Sequence, residues 1–300
     1  MSLYKEEDKL QDSIETYCKN TQKAYLYAYK KLKKVLDVDE IHKYENSGII
    51  EKVKGAITNK NTINQAINIA IKLKRLYELD DDELVEYRDK ELKGAISAET
   101  IAKNTRLSPL LPTYNEIDAW IDSLYEREEY RQYAVNYLLW NLNCRNLDLW
   151  VRFIRSPREA IGEHNYLVLT PHKVEFIRRR YKTYHAHGEK LNVITNKNFV
   201  KACWRLTNGF HRDPETHPYW LVLKHEDNEP SSEEQIGHHV SFQTFNKIGE
   251  TNYLKIIMLH VDATGNLSRL NQISKNRGTH INVLLTNYNC KNKAFIDLVE

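Results

Sequence analysis

The chain has 300 residues, of which 41% are hydrophobic and 28% charged, with 10 Gly and 7 Pro. That length suits about two domains, and so little Gly and Pro excludes collagen, a disordered tract and a turn-rich β-sandwich. Lys and Arg number 44 against 41 Asp and Glu, a net charge of +3, so a polyanion partner is not declared by net charge and any basic surface must be local.

The first 95 residues read as helices. Ile14, Tyr17, Tyr25, Ala28, Tyr29, Leu32 and Leu36 recur at helical spacing, with Lys30, Lys31, Lys33 and Lys34 on the other faces. A second helix is predicted over 62–77 on Ile63, Ala66, Ile67, Ala70, Ile71 and Leu73, after cap-like asparagines at 59 and 61. The acidic run Asp80-Asp81-Asp82-Glu83 suits a loop and helix N-terminus, where carboxylates meet the positive end of the dipole. Residues 96–112 read as a linker ending in Ser108-Pro109-Leu110-Leu111-Pro112. Thr113 then stands three residues before Glu116, the capping-box spacing, and a further helix is predicted over 129–142.

The period changes after that. Tyr166, Val168, Val174 and Phe176 flank the turn Thr170-Pro171-His172-Lys173 and predict a β-hairpin over 165–177, with a third strand at 191–194. Helix is expected over 196–206, a short strand at 219–223, and helices over 233–248, 253–259, 267–274 and 280–287. Phe295, Ile296 and Leu298 give the chain an amphipathic end. The expected class is therefore mainly α with a small antiparallel sheet, in two domains: 1–95, a linker at 96–112, and 113–300 carrying a three-stranded insert.

No stretch approaches the ~18 apolar residues a membrane span needs, and residues 1–10 lack the apolar core of a signal peptide. Cys18, Cys144, Cys203 and Cys290 stand far apart, in no CxxC or CxxH spacing. That is the usage of a reduced intracellular protein with neither zinc site nor disulfide framework, nuclear or cytoplasmic. His238-His239 lacks a third ligand at metal spacing and reads as surface.

The order of elements in the second half, with Cys144-Arg145-Asn146-Leu147-Asp148-Leu149, Tyr181-Lys182-Thr183, Arg277-Gly278-Thr279-His280 and Tyr288, resembles the tyrosine recombinases, the integrases that cut and rejoin DNA. The likeness covers roughly 111–300. The segment around Arg145 is similar to the family's first catalytic arginine, usually Leu-Arg-x-x-Glu-Leu, with Asp148 where the family prefers Glu. Lys182 resembles its β-hairpin lysine, and Tyr288 lies nine residues after Thr279, the family's separation between turn and nucleophile. The helical residues 1–95 look like the family's core-binding domain, which closes on DNA from the opposite side.

One departure concerns the second arginine of the family's His-x-x-Arg. The best match is His260-Val261-Asp262-Ala263, with no arginine, so either a substitute comes from elsewhere, with Arg269 and Arg277 the nearest candidates, or the site is impaired. Thr279, with His280 next door, stands where the family's turn usually holds His or Trp.

The resemblance implies a site of Arg145, Lys182, His260 and Tyr288, with no cofactor and no metal. Guanidinium groups grip a phosphodiester's non-bridging oxygens. A tyrosine oxygen attacks to give a 3′-phosphotyrosine, and a lysine or histidine protonates the leaving oxygen. It also implies double-stranded DNA as partner and a homo-oligomer, a tetramer when two sites are paired, with the C-terminal end docking on a neighbour.

A basic stretch between Lys173 and Arg205 holds nine Lys and Arg against two Glu. Arg178, Arg179 and Arg180 there, with Lys30 and Lys31 on the other domain, are the expected phosphate-contacting residues, the alternative being a solvated strand face. Two rival functions remain: a recombinase-derived DNA-binding protein that has lost cleavage, and a helical scaffold that binds no nucleic acid.

Overall fold

The computed structural model describes residues 5–17, 19–213, 215–224 and 229–288. The chain divides into two compact units, Met1–Thr100 and Ile101–Glu300. Cys18, Cys290 and the apolar end at Phe295, Ile296 and Leu298 lie outside the described residues.

In the first unit, α1 (Glu6–Ser13), α2 (Lys19–Leu36), α3 (Asn46–Ala56) and α4 (Lys60–Leu76) surround a core of Leu10, Leu32, Leu36, Ile49, Val53, Ile67 and Leu73. The periodicity through residue 14 is split in two, because the chain turns over residues 14–16 between α1 and α2. Asn59 accepts from the Thr62 amide at 3.0 Å and starts α4. The acidic run leads into α5 (Asp82–Glu86), whose Leu84 is buried. One carboxylate is buried here with every donor it needs. Glu6 accepts from the backbone of Ile41 (3.1 Å) and His42 (2.8 Å) and from the Tyr29 hydroxyl (3.2 Å), and it meets the His42 ring at 2.7 Å.

The segment expected as a linker is helix. A π-helical turn at Tyr87–Leu92 runs into α6 (Lys93–Leu107), and only Ser108–Leu110 and the residues up to the next cap leave it. Residues 93–107 contain no proline and a single glycine, Gly94, so nothing in their backbone chemistry ends the helix before Pro109.

In the second unit, α7 (Tyr114–Glu126) opens on the expected capping box, with the Thr113 hydroxyl and the Glu116 carboxylate exchanging bonds. Helix α8 (Tyr130–Asn141) is buried along nearly its whole length and packs with α10 (Lys197–Leu206), started by the Asn196 side chain, on one face of a sheet.

That sheet has five strands and is mixed, in place of the three antiparallel strands expected. Its order is β4-β3-β2-β1-β5, for β1 (Val151–Ile154), β2 (Asn165–Leu169), β3 (Val174–Arg178), β4 (Lys190–Ile194) and β5 (Tyr219–Trp220). The hairpin β2–β3 and strand β4 fall where the alternation puts them. The extra strand β1 pairs parallel to β2 and antiparallel to β5. Its Val-Arg-Phe-Ile pattern is only four residues long, too short for a clear period of two.

The one-turn α9 (Tyr184–His187) lies between β3 and β4. The helix expected over 233–248 shrinks to α11 (Ile236–Ser241) and a 3₁₀ turn at Phe245–Lys247, where Asn246 and Lys247 have positive φ. The C-terminal helices are α12 (Glu250–Thr264), α13 (Leu267–Arg277) and α14 (Ile281–Tyr288). Glycines at positive φ, Gly265 (63°) and Gly278 (58°), end α12 and α13. Among the described residues no helix is long and apolar enough to cross a membrane, and no group of His, Cys, Asp or Glu is placed to hold a metal ion.

Candidate anion-binding site

Arg145 owes its position to how α8 stops. Asn143 adopts φ 54°, the left-handed conformation asparagine tolerates, and the Cys144 amide returns to the Leu138 carbonyl at 3.3 Å. Arg145 emerges with extended backbone and caps the 3₁₀ turn Asn146–Leu149. Its amide donates to Asp148 Oδ2 at 3.2 Å. The same oxygen accepts from Arg178 Nη1 at 3.2 Å, between side chains 0% and 1% exposed. Burial pushes the Asp148 acid up from its ordinary range, and the adjacent Arg178 works against that. Buried Asn165, at the start of β2, ties the turn to the end of β3. Its Nδ2 donates to the carbonyls of Asp148 (3.1 Å) and Arg180 (2.9 Å), and its Oδ1 accepts from the amides of Arg179 and Arg180.

The C-terminus of α13 is the post on which the cations hang. Arg145 donates to the Arg277 carbonyl (2.9 Å) and to the Thr279 hydroxyl (2.8 Å). Arg178 donates to the Asn276 carbonyl (3.0 Å), and Lys190, at the start of β4, to the Lys275 carbonyl (2.8 Å). These bonds fall on the carbonyls of the last turn, of which that of Lys275 also takes the Gly278 amide, and set positive charge against the negative end of the dipole. Gly278 makes the approach possible. A Cβ there would lie 2.6 Å from Thr183 Oγ1, 2.7 Å from the His187 ring and 2.9 Å from Lys190 Nζ.

Arg277 itself turns inward. It is 3% exposed, donates to the Asn143 carbonyl at 3.1 Å and pairs with Glu250, the first residue of α12, at 3.1 Å. The other Glu250 oxygen accepts from the Asn146 amide. The Arg277 guanidinium lies 5.9 Å from the ring centre of Tyr288, the last residue of α14.

The electrostatics are those of crowded cations. Burial, followed by the like charge of Arg277, makes the Arg145 guanidinium easier to deprotonate, while Asp148, Glu250 and Tyr288 oppose this. Lys190 is pushed down to about 8 by burial and then by Arg178, with Arg145 adding to it. The charges sort into two ion pairs, Arg178–Asp148 and Arg277–Glu250, plus Arg145 and Lys190, whose side-chain hydrogen bonds run to neutral oxygens. Among the described residues, Arg178 Nε, Arg277 Nε and Asn276 Nδ2 are buried donors without a hydrogen-bond partner, beside the unpartnered buried acceptors Asp148 Oδ1, Asn143 Oδ1 and Asn146 Oδ1. Such a cluster can hold an anion, which would meet donors already in place.

The structure thus brings together Arg145, Arg178, Arg277, Thr279 and Tyr288 of the residues singled out from sequence. Lys182 is exposed on the β3–β4 connection, and the lysine set among the cations is Lys190. His260 stacks on Tyr114 with ring centres 4.0 Å apart, and Tyr114 meets Trp140 on α8. Arg269 caps α8 through the carbonyls of Trp140 (3.0 Å) and Asn141 (3.2 Å). His280 serves the start of α14, its Nδ1 accepting from the Asn282 amide at 3.3 Å.

The three arginines at the end of β3 do not form a solvated face. Arg178 is buried; Arg179 pairs with Glu189, and Arg180 with Glu163 and Glu233. In the first unit, Lys30 pairs with Glu7 at 3.3 Å, and Lys31 is half-buried. Sequence reasoning missed Lys190, Glu250 and Asn165. For Lys190 the signal is its register opposite Arg178, once β3 and β4 are paired.

No protein-family profile and no curated protein matches the chain. Among solved structures, the chain is similar to one described as XerA recombinase, at 11% identity and a TM-score of 0.37, over 98% of this chain and 96% of that one.

Proposed function

We propose that the second unit binds the phosphodiester backbone of DNA at this cluster and cuts and rejoins it through Tyr288. The observation that carries the reading is the placement of Arg145 and Lys190, two half-buried cations without acid partners among the described residues, in a site whose arginines also reach Tyr288. Cations withdrawn from water and pressed together cost free energy, and an anion between them returns it.

In the proposed step Arg145, with Thr279 fixing its orientation, holds a non-bridging oxygen. The Tyr288 oxygen attacks phosphorus and gives up its proton to solvent. The bond from phosphorus to the 5′ oxygen breaks, and Lys190 protonates that oxygen. A lysine poised at about 8 is a competent proton donor near neutral pH. Rejoining is the same step reversed. Assembly of several copies on paired sites belongs to the same proposal.

A second reading has one observation in its favour. The Glu250 carboxylate neutralises Arg277, as a DNA-binding protein without cleavage would tolerate.

The test uses a library of nicked duplexes with randomised sequence around the nick. The wild-type chain is expected to form a detergent-stable adduct with a subset of the library, and Tyr288→Phe to form none while still shifting DNA. DNA binding without any adduct selects the second reading. An adduct that survives Tyr288→Phe refutes the nucleophile.

A further inference from the structure

The residue that least fits a phosphate site is Glu250. It places a carboxylate among the cations, in electrostatic reach of Arg145 and Asp148 as well as in contact with Arg277. Its two oxygens take an arginine N–H and a backbone N–H, from Arg277 and Asn146. Those are the donor types that take phosphate oxygens, and they come from segments more than a hundred residues apart in sequence.

Beyond neutralising the buried Arg277 and taking the Asn146 amide, the carboxylate has no further partner among the described residues. The first turn of α12 gains from a negative charge, but its start is made by the Gly249 backbone, without a side-chain cap. Arg277 already holds the Asn143 carbonyl. Its Nε, in a residue 3% exposed, has no hydrogen-bond partner among the described residues, so the carboxylate leaves the guanidinium incompletely matched.

Resting on the reading of the cluster as a phosphate site, we infer that Glu250 is an intramolecular occupant of one seat in it: the Arg277 guanidinium and the Asn146 amide receive a phosphate oxygen only when the Glu250 carboxylate leaves. The contact is a self-inhibiting latch. While it is closed, Arg145 and Lys190 alone are open to an anion. When it opens, Arg277 becomes a second guanidinium on the same phosphate. A phosphate must compete with a carboxylate of fixed local concentration, and its apparent affinity falls by the fraction of time the seat is closed.

The experiment measures thermal unfolding of the full chain against inorganic phosphate, with chloride holding the ionic strength constant. Glu250→Gln keeps the shape and removes the charge. The latch predicts a phosphate midpoint at least about 10-fold lower for Glu250→Gln than for wild type, and loss of that gain in Glu250→Gln/Arg277→Gln. Equal midpoints for wild type and Glu250→Gln overturn the inference, as does a gain that survives in the double variant. If Glu250→Gln shows no cooperative transition, Glu250→Asp decides. It keeps the charge but withdraws it by one methylene, so a latch gives a lowered midpoint and a mere structural staple an unchanged one. The adduct assay reports separately: a lowered midpoint without any adduct leaves the latch standing and removes the cleavage reading.

Discussion

Each unit buries a polar cluster, and the two are built on opposite plans. In the first, one carboxylate, Glu6, collects two backbone amides, a tyrosine hydroxyl and a histidine. In the second, Arg145, Arg178, Arg277 and Lys190 gather around Asp148 and Glu250, and buried donors are left over among the described residues. The Glu6 cluster fastens α1 to α2 and to the turn at Ile41–Lys43. The arginine cluster carries more positive charge than its fold neutralises. The surplus lies on the half-buried Arg145 and Lys190, since the buried Arg178 and Arg277 each have an acid; charge held partly out of water costs stability, and that cost is what the proposed anion would offset.

The comparison is broken most severely at the fully buried ion pair. Asp148→Ala strands Arg178 in a site where both side chains are at most 1% exposed, and should cost about 3–5 kcal/mol of unfolding free energy in urea. A loss below ~1 kcal/mol would mean the pair is not buried as described. Arg178→Ala should cost as much, while Arg179→Ala and Arg180→Ala, in partly exposed pairs, should each cost about 1 kcal/mol or less.

Next comes the saturated cluster. Glu6→Ala removes the acceptor from buried donors and should cost about 2–3 kcal/mol, with no change in the response of thermal unfolding to phosphate. A changed response would tie the first unit to the anion site.

Gly278→Ala should cost about 1–2 kcal/mol for the left-handed backbone alone. It should also move Lys190, since the added carbon would lie 2.9 Å from Nζ. A phosphate midpoint unchanged in this variant would separate Lys190 from the anion site.

The smallest effect is the pH dependence of Lys190. Its folded pKa of about 8 lies below the ordinary lysine value of 10.5. Between these values the unfolded chain binds the extra proton, so stability rises with pH across the window. Lys190→Met should flatten that rise. Phosphate binding should weaken as pH climbs through about 8, because the lysine sheds its charge. A slope identical in Lys190→Met and wild type would show that another group titrates there.

Much of the site is legible in the sequence because its residues sit at turns with local chemistry. Arg145 follows the end of α8, Gly278 ends α13, and Tyr288 closes the short helix after it. Lys190 is hidden because Lys182 stands in the connection just before its strand, and only the strand pairing decides which lysine reaches the α13 carbonyls. Arg178 looks solvated inside a run of three arginines. Yet it shares strand parity with the buried Val174 and Phe176, a signal that composition drowns. Glu250 leaves no mark, because its meaning lies in Arg277 and Asn146, residues that only tertiary folding delivers. In the fold, hydrophobic period locates most helices and the hairpin. It fails at the four-residue β1 and at α6, whose sparse burial, Asn104 alone, gives little period to read.

The most direct test of the central claim, that Arg145 and Lys190 hold a DNA phosphate, is the salt dependence of duplex binding. The logarithm of affinity is plotted against the logarithm of salt concentration for wild type and for Arg145→Gln/Lys190→Met, with folding checked by circular dichroism. If both cations neutralise phosphates, the slope of the double variant should be shallower by about 1.8, roughly 0.9 for each cation removed. An unchanged slope in a folded double variant would place the DNA, if it binds at all, elsewhere on the molecule and contradict the account.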